Sequence, residues 1–224
     1  MPDVPGRDKL ERKLARDVSL ALSGGFTALV KLLSDLPTLD SNLTAFFTEL
    51  GASLRKVISP TLQQIYLSQA EVLSTQLTIG VDWGLINQAA ANWATTYTFD
   101  LVRGINETTR QILQNAINTY YREGLTIDEL KQLLEPTFGP VRADMIAVTE
   151  VTRASAQGEL ALARQIEKEN PNIRMVDVWA TNNDERVCII CFPRNGKDQG
   201  DGWEDPPPGH PRCRCWLNHR MEVL

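Results

Sequence analysis

All four cysteines of this chain lie close together near its end, in Cys188-Ile189-Ile190-Cys191 and His210-Pro211-Arg212-Cys213-Arg214-Cys215. No other feature constrains the fold so strongly. A Cys-x-x-Cys pair bends the backbone so that both thiolates face one point. A second cluster roughly 20 residues on can complete a tetrahedron around a soft divalent ion. Zinc suits thiolate and imidazole ligands and needs no redox partner. Five candidate ligands, Cys188, Cys191, His210, Cys213 and Cys215, compete for four places. Cys188, Cys191 and Cys213 are the firmest. The fourth place lies between His210 and Cys215; in an extended segment Cys213 and Cys215 share a face, which favours Cys215.

Two disulfides, or a redox-active thiol pair, could use the same residues. Disulfides fit poorly, because Met1-Pro2-Asp3 does not start like a signal peptide and a chain of 224 residues can bury a core without staples. A redox pair wants a βαβ surround that the sequence near Cys188 lacks. Structural zinc is therefore expected over catalytic zinc, since four or more protein ligands need leave no open coordination position.

Composition sets the class. Hydrophobic content of 42% and charge of 23% are those of an ordinary globular protein. A net charge of −5 gives the whole chain no broad grip on nucleic acid. No apolar run approaches the roughly 18 residues that would span a bilayer, so no membrane contact is expected. No small-molecule substrate is expected either.

The fold class expected is α+β, mainly α. A helical bundle or stalk over 1–104 precedes a module over 105–224 that ends in a zinc-tied β-hairpin at 170–217. Residues 1–6 read as a frayed polar lead. Leu10, Leu14, Val18, Leu22, Leu29, Leu33 and Leu36 mark an amphipathic helix over 7–36, with a kink or break at Gly24-Gly25. Its basic cluster (Arg7, Lys9, Arg12, Lys13, Arg16) reads as a solvated face, or as a contact for nucleic acid or an acidic partner. Pro37 should end the helix, with Asp40 or Ser41 capping the next. That one runs to Ser59-Pro60, and Pro60 starts another that Gly80 stops. Asp82 caps a segment to about Arg103, with Trp83, Ile86, Ala90, Trp93, Ala94 and Tyr97 inward. A further helix fills the stretch from Gly104 to Gly124, with Ile105, Thr109, Ile112, Ala116, Ile117, Tyr120 and Tyr121 on one side.

Thr126 and Glu129 then form a capping box, with Leu125 stapled on Leu130, for a short helix ending at Glu135-Pro136. Gly139-Pro140 opens a longer one to about Glu169, whose small residues, Gly158 among them, admit another backbone closely. Met175–Thr181 alternates like a strand, and Arg212–Met221 is a plausible returning strand. The loop between them, Pro193 to Gly209, is too polar to hold a core alone.

Thr149-Glu150, Arg153-Ala154, Gly158, Trp179, Asp184-x-Arg186-x-Cys188-x-x-Cys191, Asn195-Gly196 and Pro207-Pro208-x-His210-Pro211-x-Cys213-Arg214-Cys215 occur in an order that resembles the Mu F-like phage head morphogenesis proteins, also called minor head or minor capsid proteins. The resemblance covers roughly residues 105–217. It implies a late phage protein carried in few copies at or near the portal vertex of the virion, assembled in the host cytoplasm, with the portal and other head proteins as partners and packaged DNA as a further candidate. Some relatives carry toxin or enzymatic domains after this module; none is expected in the short stretch after Cys215.

Among the shared polar residues, Glu150, Arg153, Asp184 and Arg186 could tie the long helix to the hairpin as a charged network. A paired-carboxylate active site would use the same letters, yet no Ser-His-Asp pattern, phosphate-cradling loop or His-Glu-x-x-His motif accompanies them, and the chain reads as a non-enzyme. Two competing readings are an HNH-type nuclease, suggested by Asn218-His219, and a zinc-ribbon nucleic-acid binder, which wants a basic footprint that the nearly balanced charges after Asp184 do not supply.

Overall fold

A computed structural model describes residues 4–33, 39–77, 79–182, 184–185 and 187–224. Five helices come first: α1 (Arg7–Leu33), α2 (Leu39–Leu77), α3 (Trp83–Glu123), α4 (Ile127–Phe138) and α5 (Pro140–Glu169). Strands β1 (Ile173–Ala180) and β2 (Trp216–Val223) follow, with a short 3-10 turn at Phe192–Arg194 between them. The expectation of a mainly helical chain with a small antiparallel sheet holds.

Helix length is where sequence and structure differ most. Helix α1 runs unbroken through Gly24-Gly25. Gly25 serves packing there: an added Cβ would stand 2.8 Å from Leu50 Cδ1. Helix α2 includes Pro60 in its interior. An interior proline costs about 3 kcal/mol, but Leu54, Ile58, Leu62 and Ile65 are buried on both sides of it and Pro60 itself is exposed. Burying each such side chain contributes about 1.5–3 kcal/mol, which outweighs one lost backbone bond. For the same reason α3 passes through Gly104 as one helix and α4 passes Pro136 to bury Thr137 and Phe138. The proposed stop at Pro37 falls outside the described residues, while Asp40 and Ser41, expected as caps, lie inside α2, which begins at Leu39.

Local capping signals are present in the fold. Asp82 caps α3 by accepting the Gly84 amide at 2.8 Å. Thr126 accepts the Glu129 amide while Glu129 accepts the Thr126 amide, closing the capping box. Some inward assignments change: Trp83 and Tyr121 are exposed, and Leu113 takes the buried place expected of Ile112. Val4 is buried too, so the lead is anchored from that residue on.

The chain divides into two compact units. One comprises Arg12–Pro60 and Thr95–Met145. In it Phe26 meets Phe138 with ring centroids 5.5 Å apart, and the Arg110 guanidinium lies 4.4 Å over the Phe47 ring. Arg142 ties this unit internally by donating to Thr109 Oγ1 and to the carbonyls of Thr137 and Ile105.

The other unit comprises Met1–Glu11, Thr61–Ala94 and Ile146–Leu224. Tyr66, Leu73, Ile86, Leu162, Ile166 and Met175 build one of its cores. Gly158 admits the α2 backbone as expected: a Cβ there would lie 2.1 Å from the Tyr66 carbonyl oxygen. Strands β1 and β2 pair antiparallel from Ile173↔Val223 to Ala180↔Trp216. The return strand thus starts at Trp216, not Arg212, because Arg212 turns the chain with φ 63°. On its other edge β1 holds the polar loop. The Trp179 amide donates to the Lys197 carbonyl, Gly196 donates to the Trp179 carbonyl and Gln199 to that of Asp177.

Candidate metal centre

Trp179 is fully buried and organises the second core of this unit, with Ala156, Cys191, Trp203, Cys213, Cys215 and Leu217 around it. The Trp203 ring meets it edge-on at 5.5 Å and the Arg194 guanidinium lies 4.9 Å from it. So the polar loop contributes its one tryptophan to the core, and its indole N–H donates to the Lys197 carbonyl at 2.8 Å. These contacts fix both ends of the cysteine-bearing segment.

The Cys-x-x-Cys turn closes when the amides of Cys191 and Phe192 donate to the Cys188 carbonyl. The second turn closes when the Cys213 amide donates to the His210 carbonyl. Facing one another, the two turns bring together all five expected ligands in two overlapping groups, Cys188-Cys191-His210 and Cys191-Cys213-Cys215, each with its ligand atoms within 4.8 Å. Cys191 belongs to both. All four cysteines are free thiols. A cleft of about 240 Å³, which Asp184 also lines, opens onto them.

These residues fit a metal ion on chemical and metric grounds. A tetrahedron with metal–sulfur bonds of about 2.3 Å has sulfur–sulfur edges of about 3.8 Å; Cys191 Sγ and Cys213 Sγ are 3.7 Å apart. His210 Nε2 lies 3.0 Å from Cys188 Sγ, and His210 Nδ1 lies 2.7 Å from the Pro211 carbonyl oxygen. Since a carbonyl can only accept, Nδ1 carries the hydrogen and Nε2 presents its lone pair to the cluster, as a ligating imidazole requires. Hydrogen bonding from Cys191 and Cys215 holds the Cys213 thiol below the ordinary range despite its burial, so anionic sulfur is favoured there. The contact with Cys213 pushes Cys191 up in turn.

Helix α5 holds the second turn by two threonines. Thr149 Oγ1 accepts the Arg212 amide at 2.9 Å, and Thr152 Oγ1 donates to the Cys213 carbonyl at 2.7 Å. Thr152 in turn accepts from Arg7 Nη1 at 2.7 Å. Glu11 receives Arg214 through both carboxylate oxygens, at 2.6 and 3.2 Å. Arg7 is therefore buried and committed, not part of a solvated basic face; Lys9, Arg12, Lys13 and Arg16 are exposed.

Residues 111–218, just under half of the chain, match the family described as Phage Mu protein F like protein. That segment is similar to the Mu F-like family. No curated protein and no solved structure matches the chain. The Mu F-like segment contains every candidate ligand together with Thr149 and Thr152, whereas Arg7 and Glu11 reach the centre from outside it.

Of the four residues proposed as a charged network, Glu150 is buried and pairs with Arg153 at 3.3 Å. Asp184 is exposed beside the cysteine cleft, and Arg186 lies outside the described residues. The sequence alone assigns Arg7 to a basic face, and does not single out Thr152, Glu11 or the buried set formed by Gln69, Glu159, Asp177 and His219. The available signal for the last was a glutamate and a histidine at positions that periodicity turns inward. No helix among the described residues is long and apolar enough to cross a membrane.

Proposed function

We propose that this chain is a phage minor head protein that acts in head morphogenesis at or near the portal vertex, and that a structural zinc ion ties its Mu F-like segment together. The observation that carries the reading is the family match lying over the whole thiol and imidazole cluster. Cys188, Cys191 and Cys213 would hold the ion, with His210 or Cys215 in the fourth place. Bound there, zinc would supply a crosslink between the two turns, so its binding energy becomes folding energy. Glu150, Arg153, Asp184 and Arg186 remain the proposed polar tie between α5 and this centre.

A scaffold role is favoured over the nuclease reading by the fate of the two histidines. The His219 side chain is wholly buried against Asp177, and His210 faces sulfur. Neither is placed to meet a phosphodiester. Partners would be the portal and neighbouring head proteins, with packaged DNA a further candidate, and the protein would reside in the virion. Binding would rest on apolar anchors, because a net charge of −5 offers little long-range steering.

Co-purification with a portal complex, followed by infectivity with the gene deleted, tests this. The expected result is association with particle proteins and fewer, misassembled or poorly infectious particles. Association with no particle component, together with unchanged yield and infectivity, would overturn it.

A further inference from the structure

Strand register places Asp177 directly opposite His219, and both side chains are buried. His219 Nδ1 lies 2.9 Å from Asp177 Oδ1, while the second Asp177 oxygen takes Nη2 of Arg164 from α5. A carboxylate held by an arginine only accepts, so Nδ1 carries the ring hydrogen and Nε2 of a neutral ring is left as a lone pair. Across from Nε2, at 4.0 Å, stands Glu159 Oε2. The other Glu159 oxygen already accepts from Gln69 Nε2 of α2 at 2.6 Å. Both facing atoms are buried and neither has a hydrogen-bond partner. Two acceptors confronting each other in a dry interior repel, and each has lost its water. At 4.0 Å they stand beyond hydrogen-bond reach, and a hydrogen carried by either one turns the repulsion into attraction.

We propose that the buried contact of Glu159 with His219 keeps one proton in the folded chain, and that this proton is a pH-sensitive latch fastening β2 to α5. Either location of the proton serves, since a carboxylic acid or an imidazolium removes the confrontation of two lone pairs. Burial pushes the Glu159 carboxyl up to about 8, against the hydrogen bonds of Gln69 and the Leu217 amide and the positive charge of Arg7. Asp177 and Arg164 complete the charged surroundings, each committed to the other.

The sign of the effect follows. A folded-state value above the ordinary 4.5 means that the native chain keeps a proton the unfolded chain has released. The latch is fully fastened below about 4.5, weakens as pH rises and is lost through about 8. In that window the opening equilibrium can change by up to about tenfold per pH unit.

Hydrogen exchange of the β2 amides in the full, metal-loaded chain reads the latch, with intrinsic exchange rates divided out. Between about pH 6 and about pH 9 protection in the parent should fall by about tenfold or more. In Glu159→Gln it should hold steady, because the amide does not titrate. An equal pH response in both proteins, or none in the parent, overturns the proposal. Should the variant misfold, the Glu159 carboxyl carbon can be followed by NMR in the parent. It should titrate near pH 8; a carboxyl ionised throughout that range is the contrary result.

Discussion

Thr149 Oγ1 accepts the backbone N–H of Arg212 at 2.9 Å, and Arg212 has a φ of 63°, in the left-handed region that side chains disfavour. The first residue of the Thr-Glu-x-x-Arg-Ala motif thus holds the turn that presents His210 and Cys213. Thr149→Val keeps the volume and removes the acceptor. It should cost about 1 kcal/mol, read as roughly fivefold weaker metal retention in chelator competition. Unchanged retention would separate Thr149 from the centre.

Two glycines inside helices should respond in opposite senses. At Gly158 a Cβ would meet the Tyr66 carbonyl oxygen at 2.1 Å, and backbone cannot swing aside as a side chain can. Gly158→Ala should therefore destabilise by about 3 kcal/mol or more. At Gly104 a Cβ meets nothing within 4 Å, so Gly104→Ala should stabilise by about 0.5–1 kcal/mol. Urea titrations of the two variants check both signs.

Cys191 belongs to both ligand groups, and its loss should damage the centre more than the loss of Cys188. Cys191→Ser should expose the stretch from about Asn170 to Leu224 to protease while far-ultraviolet circular dichroism keeps its helical signal. The helices have apolar stripes of their own, with Leu14, Leu54, Leu62 and Leu162 fully buried. Equal protection of mutant and parent would contradict the metal's role as a tie.

What could be read in the sequence was local chemistry. The Cys-x-x-Cys spacing, the Thr126–Glu129 box, the Asp82 cap and the start at Pro140 each depend on a few neighbouring residues, and each is present. Glycine and proline misled at Gly24-Gly25, Pro60, Gly104 and Pro136. Punctuation there was outweighed by buried stripes running past it, a balance set by tertiary packing. The Arg7–Thr152–Cys213 chain and the Asp177–His219 pair join residues far apart in sequence. Only strand register and the closeness of helices create them, so no window of residues could announce them.

The claim that a metal ion organises this protein is tested most directly by elemental analysis of the full chain purified without added metal. About one tightly bound zinc per chain is the predicted result, as four protein ligands around one ion require. A preparation with its native fold and no zinc would contradict it.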